Sequence, residues 1–270
     1  MTTPDPPHRA DDDRRMVRVE VEVPASPEQV WEAIATGPGM TAWFVPAEVE
    51  GREGGAVVTR HGPFGDSHGV VTAWEPPRRF AYEERAWTDS AGAPPWATEI
   101  LVEARAGGTC VVRLASGFEH GGEDWAGELE GTDDGWRDGM QHLRIYLTHF
   151  AGLPTASVTV FQPTGEPAER AWRRVVDALG LGQLAPGQRR STGPGAPPLE
   201  GIVEEVDLLQ VKLRCELPAP GIFDLAVHRW AGRTHVVARG YLYGDAGAAA
   251  RARTEERWAR WLGQLFPAPA

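Results

Sequence analysis

Glu84 closes the stretch RFAYEE, two residues after Tyr82 and four after Phe80. In an extended strand these three side chains share one face. A carboxylate held among aromatic rings loses hydration, which raises its pKa toward the range of a general base. Glu99, in ATEILVEA, is read as a second, weaker inward carboxylate. His61 and His68 flank GPFGDS, so a hairpin there would bring two imidazoles near Asp66, a set able to bind a metal or move a proton. Such groups at a hairpin end are ordinarily solvated, so no metal is assigned and the catalytic residues stay open. Apolar candidates are more numerous. Trp136, Met140 and Leu143 recur at helical spacing, and Val112, Leu114, Ser116 and Phe118 alternate as along a strand. Trp43 and Phe44 lie in GPGMTAWFVPAEVEGREGG, read as a loop, and with Phe64 they are placed at the mouth of a cavity walled by the other two sets.

Other chemistries lack their signatures. There is no phosphate loop, dinucleotide fingerprint, GxSxG elbow, HExxH or paired zinc motif, and no cofactor is expected. FEHGGEDWAGELEGTDD carries seven carboxylates without the ligand order of a calcium loop. It reads as a solvated acidic approach to a helix, with Asp133 or Asp134 near the positive N-terminus. A formal charge of −11 leaves no basic cluster longer than an arginine pair, such as Arg173-Arg174 and Arg189-Arg190, which argues against nucleic-acid and membrane partners. Lys212 is the only lysine, and an arginine-, alanine-, glycine- and proline-rich composition is typical of high-GC bacterial coding. Cys110 and Cys215, set in strand-like TCVVRL and VKLRCEL, read as buried free thiols. With no N-terminal apolar region and no apolar run near 18 residues, the expected location is cytoplasmic.

The elements that would position these residues follow from periodicity. MVRVEVEV alternates as a half-buried strand, and ASPEQVWEAIAT has Ser26 as N-cap, Pro27 at the first helical position and Val30, Trp31 and Ile34 on one face. After the loop that holds Trp43 and Phe44 come AVVTRHG, HGVVTAW, RFAYEERAW, ATEILVEA and TCVVRLASGF, joined by short turn segments that favour an antiparallel meander. A longer helix over 133–150 closes the unit. The pattern then recurs: SVTVFQP, a helix in EPAERAWRRVVDALG, strands in GIVEEVDLLQVKLRCE and GIFDLAVHRWAGRTHVVARGYLYG, and a terminal helix TEERWARWLGQLF. In this second copy LGQLAPGQRRSTGPGAPP, within 180–198, stands as a Gly/Pro loop in place of the early hairpin, with a lid role left open. The organisation is therefore an α+β chain with a disordered tail over 1–15, a first domain over 16–152 and a second, reduced domain over 153–270.

VEVPASPEQVWEAIAT, WFVPAEVEGREGG, GVVTAWEPPRRFAYE and DDGWRDGMQHLRIYL, in this order, resemble the START-like superfamily, also called polyketide cyclase/dehydrase or helix-grip proteins. Within it the likeness is nearest to the family of activators of the heat-shock protein 90 ATPase. It implies two tandem units, the second degenerate, each a curved antiparallel sheet gripping a long C-terminal helix, with a cavity between them in many relatives. The leading functional expectation is binding of a small hydrophobic or amphipathic molecule in the first domain. An aromatase/cyclase-like enzyme and a co-chaperone-like module with a protein partner are the alternatives.

Overall fold

A computed structural model describes residues 16–85, 94–118, 132–230 and 232–267, with Phe64 and Trp230 described by backbone alone. The expected tail over 1–15, most of the acidic cluster and the Phe64 side chain lie outside the described residues. The chain divides into two compact units between Ala151 and Gly152.

The first unit holds a seven-stranded antiparallel sheet, built from β1 (Met16–Val23), β2 (Ala47–Val49), β3 (Ala56–Arg60), β4 (Asp66–Glu75), β5 (Arg79–Glu84), β6 (Trp96–Ala104) and β7 (Cys110–Gly117). The strand order is β1-β7-β6-β5-β4-β3-β2, a meander whose last long strand returns to pair with its first. Alternation does what it promises in β1, where Val17, Val19, Val21 and Val23 are buried and the residues between them point out. The short helix α1 (Pro27–Ala35) starts on a capping box, in which Gln29 N donates to Ser26 Oγ and Ser26 N donates to the Gln29 side chain. The long helix α3 (Thr132–His149) packs against β1 and α1 and buries Trp136, Met140, Leu143 and Leu147.

The segment GPGMTAWFVPAEVEGREGG is not the loop that its glycines and prolines suggest. It contains a second short helix, α2 (Gly37–Thr41), and the edge strand β2. Thr36 caps α2 by accepting from Gly39 N at 3.0 Å, and Pro38 sits in the first turn, where its missing N–H costs nothing. Gly39 is a contact point: a Cβ there would stand 1.9 Å from the Glu32 carbonyl oxygen of α1. At the far end of the segment Gly54 adopts φ +74° and turns the chain into β3.

The second unit repeats the plan with six strands: β8 (Thr155–Thr164), β9 (Arg189–Ser191), β10 (Glu200–Asp207), β11 (Gln210–Leu217), β12 (Gly221–Trp230) and β13 (Arg233–Tyr243), in the order β8-β13-β12-β11-β10-β9. Helix α4 (Ala168–Leu179) takes the place of α1, and α5 (Gly244–Leu265) packs on β8 and β13. Two expectations are corrected. The Gly/Pro segment carries β9, paired with β10 at Ile202↔Arg189, so an edge strand survives where a bare loop was expected. Helix α5 begins at Gly244 rather than Thr254, because GDAGAAARAR lacks apolar periodicity yet is rich in alanine, the best helix former. The core of this unit gathers Val175, Leu179, Leu213, Phe223, Trp258 and Leu262. Lys212 is fully buried, with its Nζ 3.0 Å from Glu205 Oε2. Both cysteines are free and buried; desolvation raises the Cys110 thiol and pushes Cys215 up to about 12, so neither is a ready nucleophile. Among the described residues no helix is long and apolar enough to cross a membrane.

Candidate functional site

Strand register sets which side chains of the first sheet look toward α3. Tyr82 pairs with Thr98, and Thr98 with Ser116; one step along, Glu84 pairs with Trp96. Phe80, Ile100 and Leu114 form the next row, so the inner face is apolar toward one end and polar toward the other.

The polar end is a set of hydroxyls around one carboxylate. Thr59 Oγ1 lies 3.1 Å from Glu84 Oε1 and 3.0 Å from His61 Nε2. The Ser67 hydroxyl, buried on the neighbouring strand, stands beside the same carboxylate. Desolvation raises the Glu84 pKa, and the Ser67 and Thr59 hydroxyls oppose that rise only in part. Glu84 nevertheless keeps some accessible surface, as do His61 and Phe44. Next to it, burial and then the Glu84 charge push the Tyr82 phenol far above its usual range. Trp96 Nε1 donates to Ser116 Oγ at 2.8 Å, and Ser116 shares a 2.8 Å hydrogen bond with Thr98 Oγ1, which satisfies these hydroxyls inside the core.

An aromatic group stands beside that chain. Phe44 stacks on Trp136 with centroids 4.8 Å apart, meets the His61 ring edge-on at 6.1 Å and tilts against Trp43 at 5.7 Å. Trp43 is only 1% exposed, and its Nε1–H donates to the Ala33 carbonyl at 2.9 Å, fixing it as a core plug. Gly139 on α3 faces this group, where a Cβ would make ordinary contact at 3.6 Å from the Trp43 ring.

The expected residues therefore divide. Glu84, Phe44 and Trp136 surround the accessible polar end, whereas Val112, Leu114, Ser116, Met140 and Leu143 are closed in as core, each at most 1% exposed. Phe118, just past β7, is also buried, edge-on to Trp96 at 4.9 Å. Two expectations fail. Glu99 points to the opposite face, where it accepts from Arg79 Nε at 2.7 Å, because it pairs with outward Ala81 and Ala115. His61, Asp66 and His68 do not converge: Asp66 approaches Arg60 at 3.8 Å, His68 is exposed opposite Val58, and His61 turns inward to Thr59. Thr59, Ser67 and Thr98 were not singled out from the sequence. Their signal was a hydroxyl at an inward position of an otherwise apolar alternation, as in Val57 to Thr59.

Residues 14–144 match the family profile described as polyketide cyclase/dehydrase and lipid transport. No curated protein matches the chain. Among solved structures, the di-domain ARO/CYC BexL from the BE-7585A biosynthetic pathway is 16% identical, with 95% of this chain and 100% of that one covered at a TM-score of 0.44. DynU16, from the dynemicin biosynthetic locus, is 17% identical over 93% of this chain and 96% of its own, with a TM-score of 0.44. The Aha1 dimer from Colwellia psychrerythraea is 17% identical over 49% of this chain and 95% of its own, with a TM-score of 0.40. The first half of the chain, over residues 14–144, belongs to the START-like superfamily as a polyketide cyclase/dehydrase and lipid transport domain.

Proposed function

We propose that the first unit binds a small amphipathic molecule at the accessible end of its inner face, with the apolar body against Phe44 and Trp136 and the polar end at Glu84, Thr59 and His61. The observation that carries this reading is Glu84 itself, a desolvated carboxylate that solvent still reaches, set among aromatic rings and hydroxyls. A purely structural core has no use for such a group, since burying an acid without a cation costs stability. The family description, which joins cyclase and lipid-transport members, supports a ligand of this kind. A thermal-shift panel of lipids, flavonoids and polyketides is expected to raise the melting temperature for at least one class. A flat response across the panel would remove the proposal.

One observation favours a second reading, in which the bound molecule is also transformed. The Glu84, Thr59 and His61 contacts form a hydrogen-bonded chain that runs in either direction. With Glu84 ionised, Thr59 donates to it and accepts from His61 Nε2–H; with Glu84 protonated, the acid donates to Thr59 and Thr59 donates to His61. Such a chain can take a proton at one end and release one at the other, which is what enolisation and dehydration steps of ring closure need. Under this reading Glu84→Gln binds a poly-β-carbonyl substrate but converts it at least a hundredfold more slowly than the native protein. Equal rates would leave binding alone.

A further inference from the structure

The charge around this site is one-sided. Among the described residues of the first unit no lysine or arginine is buried, while Glu84 sits inside. Arg79 and Arg113, which lie over the middle of the sheet, occupy its opposite face and are held there by Glu99 and Glu20 at 2.7 Å and 2.6 Å. Arg60 is likewise engaged outside, 2.7 Å from Glu48. The stretches 86–93 and 119–131 add no arginine or lysine to the sequence either, and Arg9, Arg14 and Arg15 lie in 1–15, outside the described residues. Among the described residues, Thr59, Ser67 and, beyond Thr59, the His61 ring stand beside Glu84, with the Tyr82 phenol next to it.

We infer that the first unit selects its ligand by charge, accepting amphipathic molecules whose polar end is an uncharged or protonated hydrogen-bond donor and rejecting those that end in a carboxylate, with Glu84 as the discriminating residue. The inference rests on the binding reading above. Two carboxylates brought together in a desolvated space cannot both stay ionised, and among the described residues of the first unit no inward guanidinium or ammonium relieves them. A phenol, alcohol, amide or ammonium group instead donates directly to Glu84 or Thr59. Free fatty acids, which are ionised at neutral pH, are thereby excluded by the same residue that orients a neutral ligand.

The test uses the full chain and four probes sharing one apolar body: 2-naphthol, 2-naphthamide, 2-naphthylmethylamine and 2-naphthoate, titrated calorimetrically at pH 8. The amide and the acid are nearly the same shape and differ in charge, so their ratio isolates the effect. The naphthoate is expected to bind at least tenfold more weakly than the amide, and Glu84→Gln to narrow that gap to threefold or less. Should Glu84→Gln not fold, Glu84→Met serves the same purpose. Naphthoate binding as tightly as the amide overturns charge selection and leaves the binding reading intact. A gap that persists in a folded Glu84 variant overturns the role of Glu84. If no probe binds, the binding reading falls and this inference with it.

Discussion

Glu84 carries an energetic cost that can be measured without knowing any ligand. Its folded pKa is raised from 4.5, so the protonated form is the one the fold favours. Stability is therefore fully present below pH 4.5 and is lost as pH rises through the raised folded value. Glu84→Gln, which keeps the oxygen that accepts from Thr59, is expected to melt higher than the native chain at pH 8, by on the order of 1 kcal/mol. The difference should vanish by pH 4, and a variant no more stable at pH 8 would show that the carboxylate is better solvated than the geometry implies. The position of Glu84 was readable from its two-residue spacing to Tyr82 and Phe80. Its partners were not, because Thr59 and Ser67 reach it through strand register across β3, β4 and β5, and register is set by turns and bulges rather than by local pattern. The same alternation misjudged Glu99, which lies an odd number of residues from Thr98, the neighbour of inward Tyr82.

Among the helices of the first unit, α2 is the one that sequence pattern concealed. Glycine and proline usually punctuate helices, yet in GPGMT the proline occupies the first turn and the glycine is where two helices meet. Gly39→Ala places a Cβ 1.9 Å from a backbone oxygen that cannot swing aside, so α1 and α2 must separate. The expected loss is about 3 kcal/mol, read as a shift in the denaturant midpoint at unchanged slope. A near-neutral effect would mean that the α1 to α2 contact is looser than drawn. Because α2 leads directly into Trp43 and Phe44, the same substitution is expected to weaken naphthol binding as well. Helix α1 was legible by contrast, since Ser26 and Pro27 announce a capped start and Val30, Trp31 and Ile34 give its face.

At the scale of the whole chain, the tandem organisation was visible because each unit repeats strand, helix, meander and terminal helix in order. The survival of β9 was not, since three residues of RRS have no pattern to read. Each unit has a core of its own, and the second is centred on Trp258, which stacks on Phe223 at 5.0 Å. Trp258→Ala is expected to cost about 4 kcal/mol in the second unit while leaving probe affinity in the first within twofold. Lost binding in a folded variant would argue that the units share their stability. Lys212 adds a practical handle. It is the chain's one side-chain amine and is sealed in the second sheet against Glu205, so an acylating reagent can reach it only when that sheet opens. The rate of its modification is thus a built-in clock for breathing of the second unit, one that reports nothing of the first.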